Sequence, residues 1–221
     1  MCGNNVDCIH RFTYLGSDIS DCASCGPEVN RRIGRACGVM DSLDKGVWRC
    51  QYSCKGTKIT VFKALVLPVL LYECETWTLT SELKNRLNVF GTKSLRRILG
   101  YCWSDFVSND RLLRETRMRC ITCIITDRQL QLFGHVARFP DNNPAVQILA
   151  SYEPVQWNCS RERPCATWLT QVDHCFQDVG IGRVAAWKMA SRRPEEYRRK
   201  VDAATRRCSA LAAHAPQNNL T

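Results

Sequence analysis

Val61 to Leu79 reads VFKALVLPVLLYECETWTL, the densest apolar stretch of the chain. From Ala64 to Tyr72 only Pro68 interrupts it. Val61, Phe62, Leu65 and Val66, then Val69, Leu70 and Tyr72, keep a helical spacing that covers more than half the circumference. A helix apolar nearly all round is buried on most sides, so other elements must pack about it. A membrane span needs about 20 apolar residues, and Lys63 and Glu73 bracket a far shorter run. Pro68 has no N–H and should bend the helix near Leu67. The stretch therefore predicts a central buried helix, bent at Pro68 and ending near Trp77.

Working outward, the pattern stays helical. Toward the N-terminus, Ile9 to Ser20 carries β-prone residues on both sides of a glycine, which fits a hairpin turning near Gly16 and Ser17. Pro27 suits the first turn of a helix running to about Lys45. Val29, Ile33, Ala36, Val39, Met40 and Leu43 line its apolar face, with Arg31, Arg32 and Arg35 facing elsewhere. On the other side, Thr80, Ser81 and Glu82 open a helix whose stripe is Leu83, Leu87, Phe90, Leu95, Ile98 and Leu99, stopped at Gly100. Lys84, Arg86, Lys93, Arg96 and Arg97 lie on its outer face. Ser108 to Asp110 begins a short helix bearing Arg111, Arg114 and Arg117. Met118 to Phe139 holds another, with Ile121, Ile124, Ile125, Leu130, Leu132, Phe133 and Val136 inside. Helical patterns return at 167–179, 184–190 and 195–207.

The expected architecture is mainly α: a helical bundle with a short N-terminal β-hairpin and a small C-terminal helical segment. The hairpin occupies 1–22 and a helical domain 23–139. The proline-bearing stretch 140–164 reads as a linker, 165–208 as a basic helical segment, and 209–221 as a disordered tail.

Charge narrows the partner. Lys and Arg outnumber Asp and Glu by 31 to 21 in 221 residues, a formal charge of +10. Between Arg183 and Arg207 nine cations face three acids. Such a surplus suits a polyanion, most commonly nucleic acid, and equally describes an ordinary basic surface. No leader precedes the first folded stretch, so an intracellular location is expected, nuclear or cytoplasmic and not secreted. The 15 cysteines are then expected as free thiols. Cys22 and Cys25, like Cys120 and Cys123, have zinc-like local spacing, but no nearby second pair completes a site. Scattered thiols are the favoured reading over zinc.

Catalytic patterns are missing from the sequence. It contains no Gly-rich phosphate loop, no G-x-S-x-G and no H-E-x-x-H. No two aspartates are adjacent, whereas two-metal phosphoryl transfer needs clustered carboxylates. Pro140-Asp141 is followed by no Glu-x-Lys or Asp-x-Lys and reads as loop. No enzyme activity and no cofactor are expected of this chain.

Several strings, in order, resemble the region behind the polymerase core of non-LTR (LINE-type) retrotransposon reverse transcriptases. They are Phe12-x-Tyr14-Leu15-Gly16, similar to the hairpin that ends the palm and touches the primer, and Leu67-Pro68-Val69-Leu70-Leu71-Tyr72-x-Cys74-Glu75-Thr76-Trp77, similar to the LPVLLYGCETW string of the thumb. Leu95-Arg96-Arg97-Ile98 and Gly134-His135-Val136-Ala137-Arg138 follow. Last comes Arg161-x-Arg163-Pro164 before Thr167-Trp168, similar to a GRP-x-x-TW segment. The resemblance spans Arg11 to Trp168 and implies that the fingers and the carboxylate-bearing palm lie before Met1. Glu73 and Glu162 stand where the family carries glycine, and Cys102 and Cys120 where it carries Arg or His, as in a decayed genomic copy.

The resemblance implies a non-catalytic fragment that grips an RNA template or an RNA–DNA primer–template. Phe12, Tyr14 and Gly16 would meet the primer, or the aromatics would fill a hairpin core. Lys93, Arg96 and Arg97 would face phosphates beside their apolar stripe, joined by Arg111, Arg114, Arg138, Arg161 and Arg163. The rival expectation is an inert or host-retained helical interaction module without nucleic acid. No membrane partner is expected.

Overall fold

The structure, a computed structural model, describes residues 11–20, 24–150 and 167–214. It is mainly α with a short N-terminal hairpin. The described residues form two compact units, one through Glu73 and one from Cys74 onward. The division falls inside the 23–139 span read above as one helical domain. The tail beyond residue 214, Cys22, residues 151–164 of the linker and the first two residues of the 165–208 segment lie outside the described residues.

In the first unit, β1 (Arg11–Tyr14) and β2 (Ser17–Ser20) pair antiparallel, Tyr14 opposite Ser17. Leu15 and Gly16 make the two-residue turn with φ of 48° and 84°. Positive φ at both positions is the turn whose twist matches the strands, and glycine takes the second at no steric cost. Helix α1 (Gly26–Ser42) starts on Pro27 and buries Val29, Ala36 and Met40. A π-helical stretch, Asp44–Trp48, ends it with Trp48 buried and its indole donating to the Met40 carbonyl at 2.8 Å.

The organising stretch begins as α2 (Lys55–Val61), widens to a π-helical turn at Phe62–Val66 and closes as α3 (Leu67–Leu70). Pro68 cannot donate to the Ala64 carbonyl. The chain accommodates this by widening just before it, with the Leu67 N–H bonded back to the Phe62 carbonyl. Two expectations are corrected. The helix is buried on one side only: Ile59, Phe62, Val66, Leu67, Leu70 and Leu71 are inside, whereas Ala64 and Pro68 are exposed and Leu65 is 49% exposed. It also ends at Leu70 rather than near Trp77, because Glu73 turns the chain with φ of +57°. Glycine, which the resembled string carries there, adopts that conformation freely; a residue with a Cβ does not.

In the second unit the helix buried nearly all round is α6 (Ile121–Val136), with Ile121, Cys123, Ile125, Gln129, Leu130, Phe133 and Val136 inside. It contacts α4 (Ser81–Leu99), α8 (Trp168–Gln177), α9 (Arg183–Arg192) and α10 (Pro194–His214). Helix α4 is capped by the Thr80 hydroxyl, which accepts the Leu83 N–H, and stopped by left-handed Gly100. Helix α5 (Asn109–Thr116) is capped by Ser108, and α7 (Pro144–Ala150) lies within the expected linker.

The three C-terminal helices close over α6. Phe133 meets Phe176 and Trp187 edge-on at 5.2 and 5.5 Å, and Tyr197 and Val201 of α10 complete the cluster. Gly134 permits this approach: a Cβ there would strike the Tyr197 ring, with Cζ only 3.0 Å away. The Tyr197 hydroxyl donates to the Leu130 carbonyl, and burial pushes its pKa up.

Between Glu75 and Leu79, outside the α-helices, side chains of α6 and α8 take up backbone groups. Residues 77–80 have no regular structure. The Gln129 amide donates to the Trp77 carbonyl at 2.7 Å, and the Gln171 amide both accepts from and donates to Leu79. The Trp168 indole donates to the Glu75 carbonyl at 2.7 Å. Thus the Cys74–Trp77 and Thr167-Trp168 strings, some 90 residues apart, meet in space. Side-chain amides here do for an irregular segment what a ladder does for a strand.

Two outcomes test this arrangement. Leu70→Asp places an unpaired charge at a fully buried position, which costs several kcal/mol, and abolishes cooperative unfolding of the first unit. Leu65→Asp on the exposed side leaves the transition within about 0.5 kcal/mol. Equal effects in denaturant titrations would mean that the buried side is misassigned. Separately, Glu73→Gly relieves a left-handed conformation worth about 1–2 kcal/mol, offset in part by glycine's greater unfolded-state freedom. A net gain of about 0.5–1 kcal/mol is expected, and an unchanged denaturation midpoint would refute it.

Candidate nucleic-acid interface

The hairpin presents aromatic rings to solvent. Phe12 and Tyr14 project from one face of β1, being two residues apart, and are 55% and 57% exposed. Their ring centroids lie 6.3 Å apart with planes inclined by 25°. They do not fill a hairpin core, which settles that alternative.

A two-stranded hairpin is marginal in water by itself. This one is held at its turn. The Gly16 carbonyl accepts from both Arg31 and Arg32, at 2.5 and 2.6 Å. Arg32 is only 4% exposed, against the expectation that it faces away from the apolar side. Its Nε meets the Glu28 carboxylate at 2.6 Å, and its guanidinium stacks 4.3 Å from the centre of the Tyr72 ring. The Tyr72 hydroxyl donates to the Leu15 carbonyl at 2.8 Å. Glu28 and Arg32, four residues apart on α1, were legible as a helical ion pair. That the pair is buried was not.

The cationic residues lie in the second unit. On α4, residues 86, 93 and 97 fall within about 40° of one another at 100° per residue. Arg86, Lys93 and Arg97 are all exposed, along one flank of the buried face that carries Leu83, Leu87, Leu95 and Ile98. Lys93 and Arg97 are separated by about 6 Å along the axis and Arg86 and Lys93 by about 10 Å. Arg96 is placed differently. It is half-buried, and its Nη2 donates to the Val107 carbonyl at 2.8 Å, bracing the approach to α5. Helix α5 packs against α4 and carries exposed Arg111 and Arg114, the latter paired with Asp110. Arg138 is exposed just beyond α6. Arg161 and Arg163 lie outside the described residues. Sequence reading passed over Arg86 as one of several outer-face residues, although its spacing of seven from Lys93 marks the same line.

Metal chemistry finds no cluster: among the described residues no group of three His, Cys, Asp or Glu side chains converges. Cys120 caps α6 and is joined to Cys123 as a disulfide, correcting the expectation of free thiols for that pair. The buried Cys74 thiol is pushed up to about 12 by desolvation, with Arg128 Nη1 3.8 Å from its sulfur. It is therefore a neutral, unreactive core group at ordinary pH. Among the described residues no helix is long and apolar enough to cross a membrane.

No protein-family model matches the chain, and no solved structure matches it. The chain is similar to an uncharacterized transposon-derived protein of Caenorhabditis elegans, 24% identical over 158 residues that cover 69% of this chain. It spans 55% of that relative's length. This likeness suggests a transposon origin for the chain.

Proposed function

We propose that the chain is the non-catalytic, nucleic-acid-gripping C-terminal part of a non-LTR retrotransposon reverse transcriptase. The observation that carries this reading is the line of Arg86, Lys93 and Arg97 along the solvent face of α4. A rigid helix, anchored by its buried face, holds these cations at set spacings, so a phosphate backbone meets them without an ordering cost for the scaffold. The exposed Phe12–Tyr14 pair supports the same reading, since bases of any identity stack on aromatic faces. The suggested transposon origin and the order of the resembling strings agree with it. Arg111, Arg114 and Arg138 are proposed as further phosphate contacts. Arg96 is assigned to bracing rather than to binding.

Changing Arg86, Lys93 and Arg97 together to Ala removes about three ionic contacts to a primed RNA–DNA duplex. Each contributes about 0.7–0.9 to the dependence of log affinity on log salt, so the slope falls by roughly 2–3 units. The loss is similar for unrelated sequences, because phosphates carry no base identity. The comparison is Arg198, Arg199 and Lys200 changed to Ala. These lie on α10, where Glu195 and Glu196 already pair with Arg198 and Arg193, and a smaller change is expected. Equal slope changes would indicate diffuse attraction to a basic surface, and no change in the α4 variant would sink the proposal.

The purified chain is expected not to extend a primed template, because its sequence holds no clustered aspartates to bind catalytic metal. Magnesium-dependent primer extension abolished by a chelator would overturn that.

A further inference from the structure

The Phe12–Tyr14 pair is exposed on one face of β1 and Thr13 on the other, and Leu15 of the turn is exposed too. Of the described residues from Phe12 to Gly16 none is buried, and the turn is held by polar contacts. Those contacts converge from two helical segments. Arg31 and Arg32 of α1 share the Gly16 carbonyl, and Tyr72, just past α3, takes the Leu15 carbonyl. Arg32 also bonds to Glu28 and lies over the Tyr72 ring. One guanidinium thus joins α1, the turn and the end of the bent helix.

We infer that Arg32 and Tyr72 are positioning residues, which fix the Leu15-Gly16 turn and so present the Phe12–Tyr14 rings as a platform for an unpaired or terminal nucleobase. The inference rests on the nucleic-acid reading above for the ligand, and on geometry alone for the clamp. Neither residue touches the base. Each acts through one carbonyl of the turn, Arg32 at Gly16 and Tyr72 at Leu15. Arg31 contributes a second bond to Gly16, but only Arg32 also engages Tyr72.

Arg32→Ala removes one of the two arginines that pair with buried Glu28, the other being Arg31, so that variant perturbs the packing of α1 as well as the turn. Tyr72→Phe is the cleaner probe: it keeps the ring beneath the guanidinium and removes only the bond to Leu15. Arg32→Lys is the second, keeping charge for Glu28 while losing the fork that reaches both Glu28 and Gly16. Two measurements on the full chain decide the matter. Amide hydrogen exchange without nucleic acid should accelerate about fivefold within residues 11–20 for Tyr72→Phe, as for loss of one neutral hydrogen bond, and more for Arg32→Lys. The exchange of α6 amides should stay unchanged. Binding to a primed RNA–DNA duplex with 2-aminopurine at the primer 3′ end should weaken about fivefold, the cost of one poorly stacked base, with its quenching reduced and its salt slope unaltered.

Faster hairpin exchange with weaker quenching establishes both halves. Unchanged exchange overturns the inference, even if binding falls, because Tyr72 would then be contacting the nucleic acid itself. Faster exchange with unaltered quenching also overturns it, since the platform would not depend on the clamp. If the unaltered chain does not bind the duplex, the gripping function and the platform both fail, and accelerated exchange leaves the clamp as a structural feature only.

Discussion

A guanidinium cannot be left unpaired inside a protein, and the first unit is arranged around that constraint. Burying an ion costs several kcal/mol unless close partners compensate. Arg32 finds them in three places: the Glu28 carboxylate, the Gly16 carbonyl and the face of Tyr72. Each partner belongs to a different part of the chain, so satisfying one charge brings α1, the hairpin turn and the end of the bent helix together. A merely apolar contact at this point would tolerate sliding. A fork of directed bonds specifies one orientation.

The second unit meets a similar demand without buried charge. Where the chain leaves the helices, the Trp77 carbonyl is taken by Gln129, the Leu79 carbonyl and N–H by Gln171, and the Glu75 carbonyl by Trp168. Helix α6 supplies one of these amides and also the surface that the C-terminal helices cover. The close crossing at Gly134 sets how near α10 can come, and Tyr197 uses that proximity to reach the Leu130 carbonyl. The basic residues of α10 therefore stand on a packed helix, not on a loose extension.

Such scaffolding bears on the proposed function because affinity for a phosphate backbone depends on where cations are held as well as on their number. The sequence carries a general surplus of positive charge. The structure divides it. Arg32, Arg96 and Arg183 bond internally to Glu28, Val107 and Asp173, and Arg86, Lys93 and Arg97 are exposed along a single line of α4. An arginine that braces a loop and one that meets a phosphate are the same letter in a sequence.

The mainly helical fold, the capped starts of α4 and α5, the stop at Gly100, the turn at Gly16 and the division of the C-terminal helices at Pro194 were all legible in the sequence. Each depends on residues within a few positions of one another, through periodicity, capping or φ preference. Tertiary structure alone decided which apolar helix is central. The Val61–Leu79 stretch is denser in apolar residues, yet Leu65 and Ala64 face solvent while α6 is enclosed, because enclosure depends on how many other elements surround a helix. The same holds for Arg32 inside and Arg86 outside, and for the meeting of Trp168 with Glu75. No local pattern encodes a partner 90 residues away, so these contacts are set only when the whole chain packs.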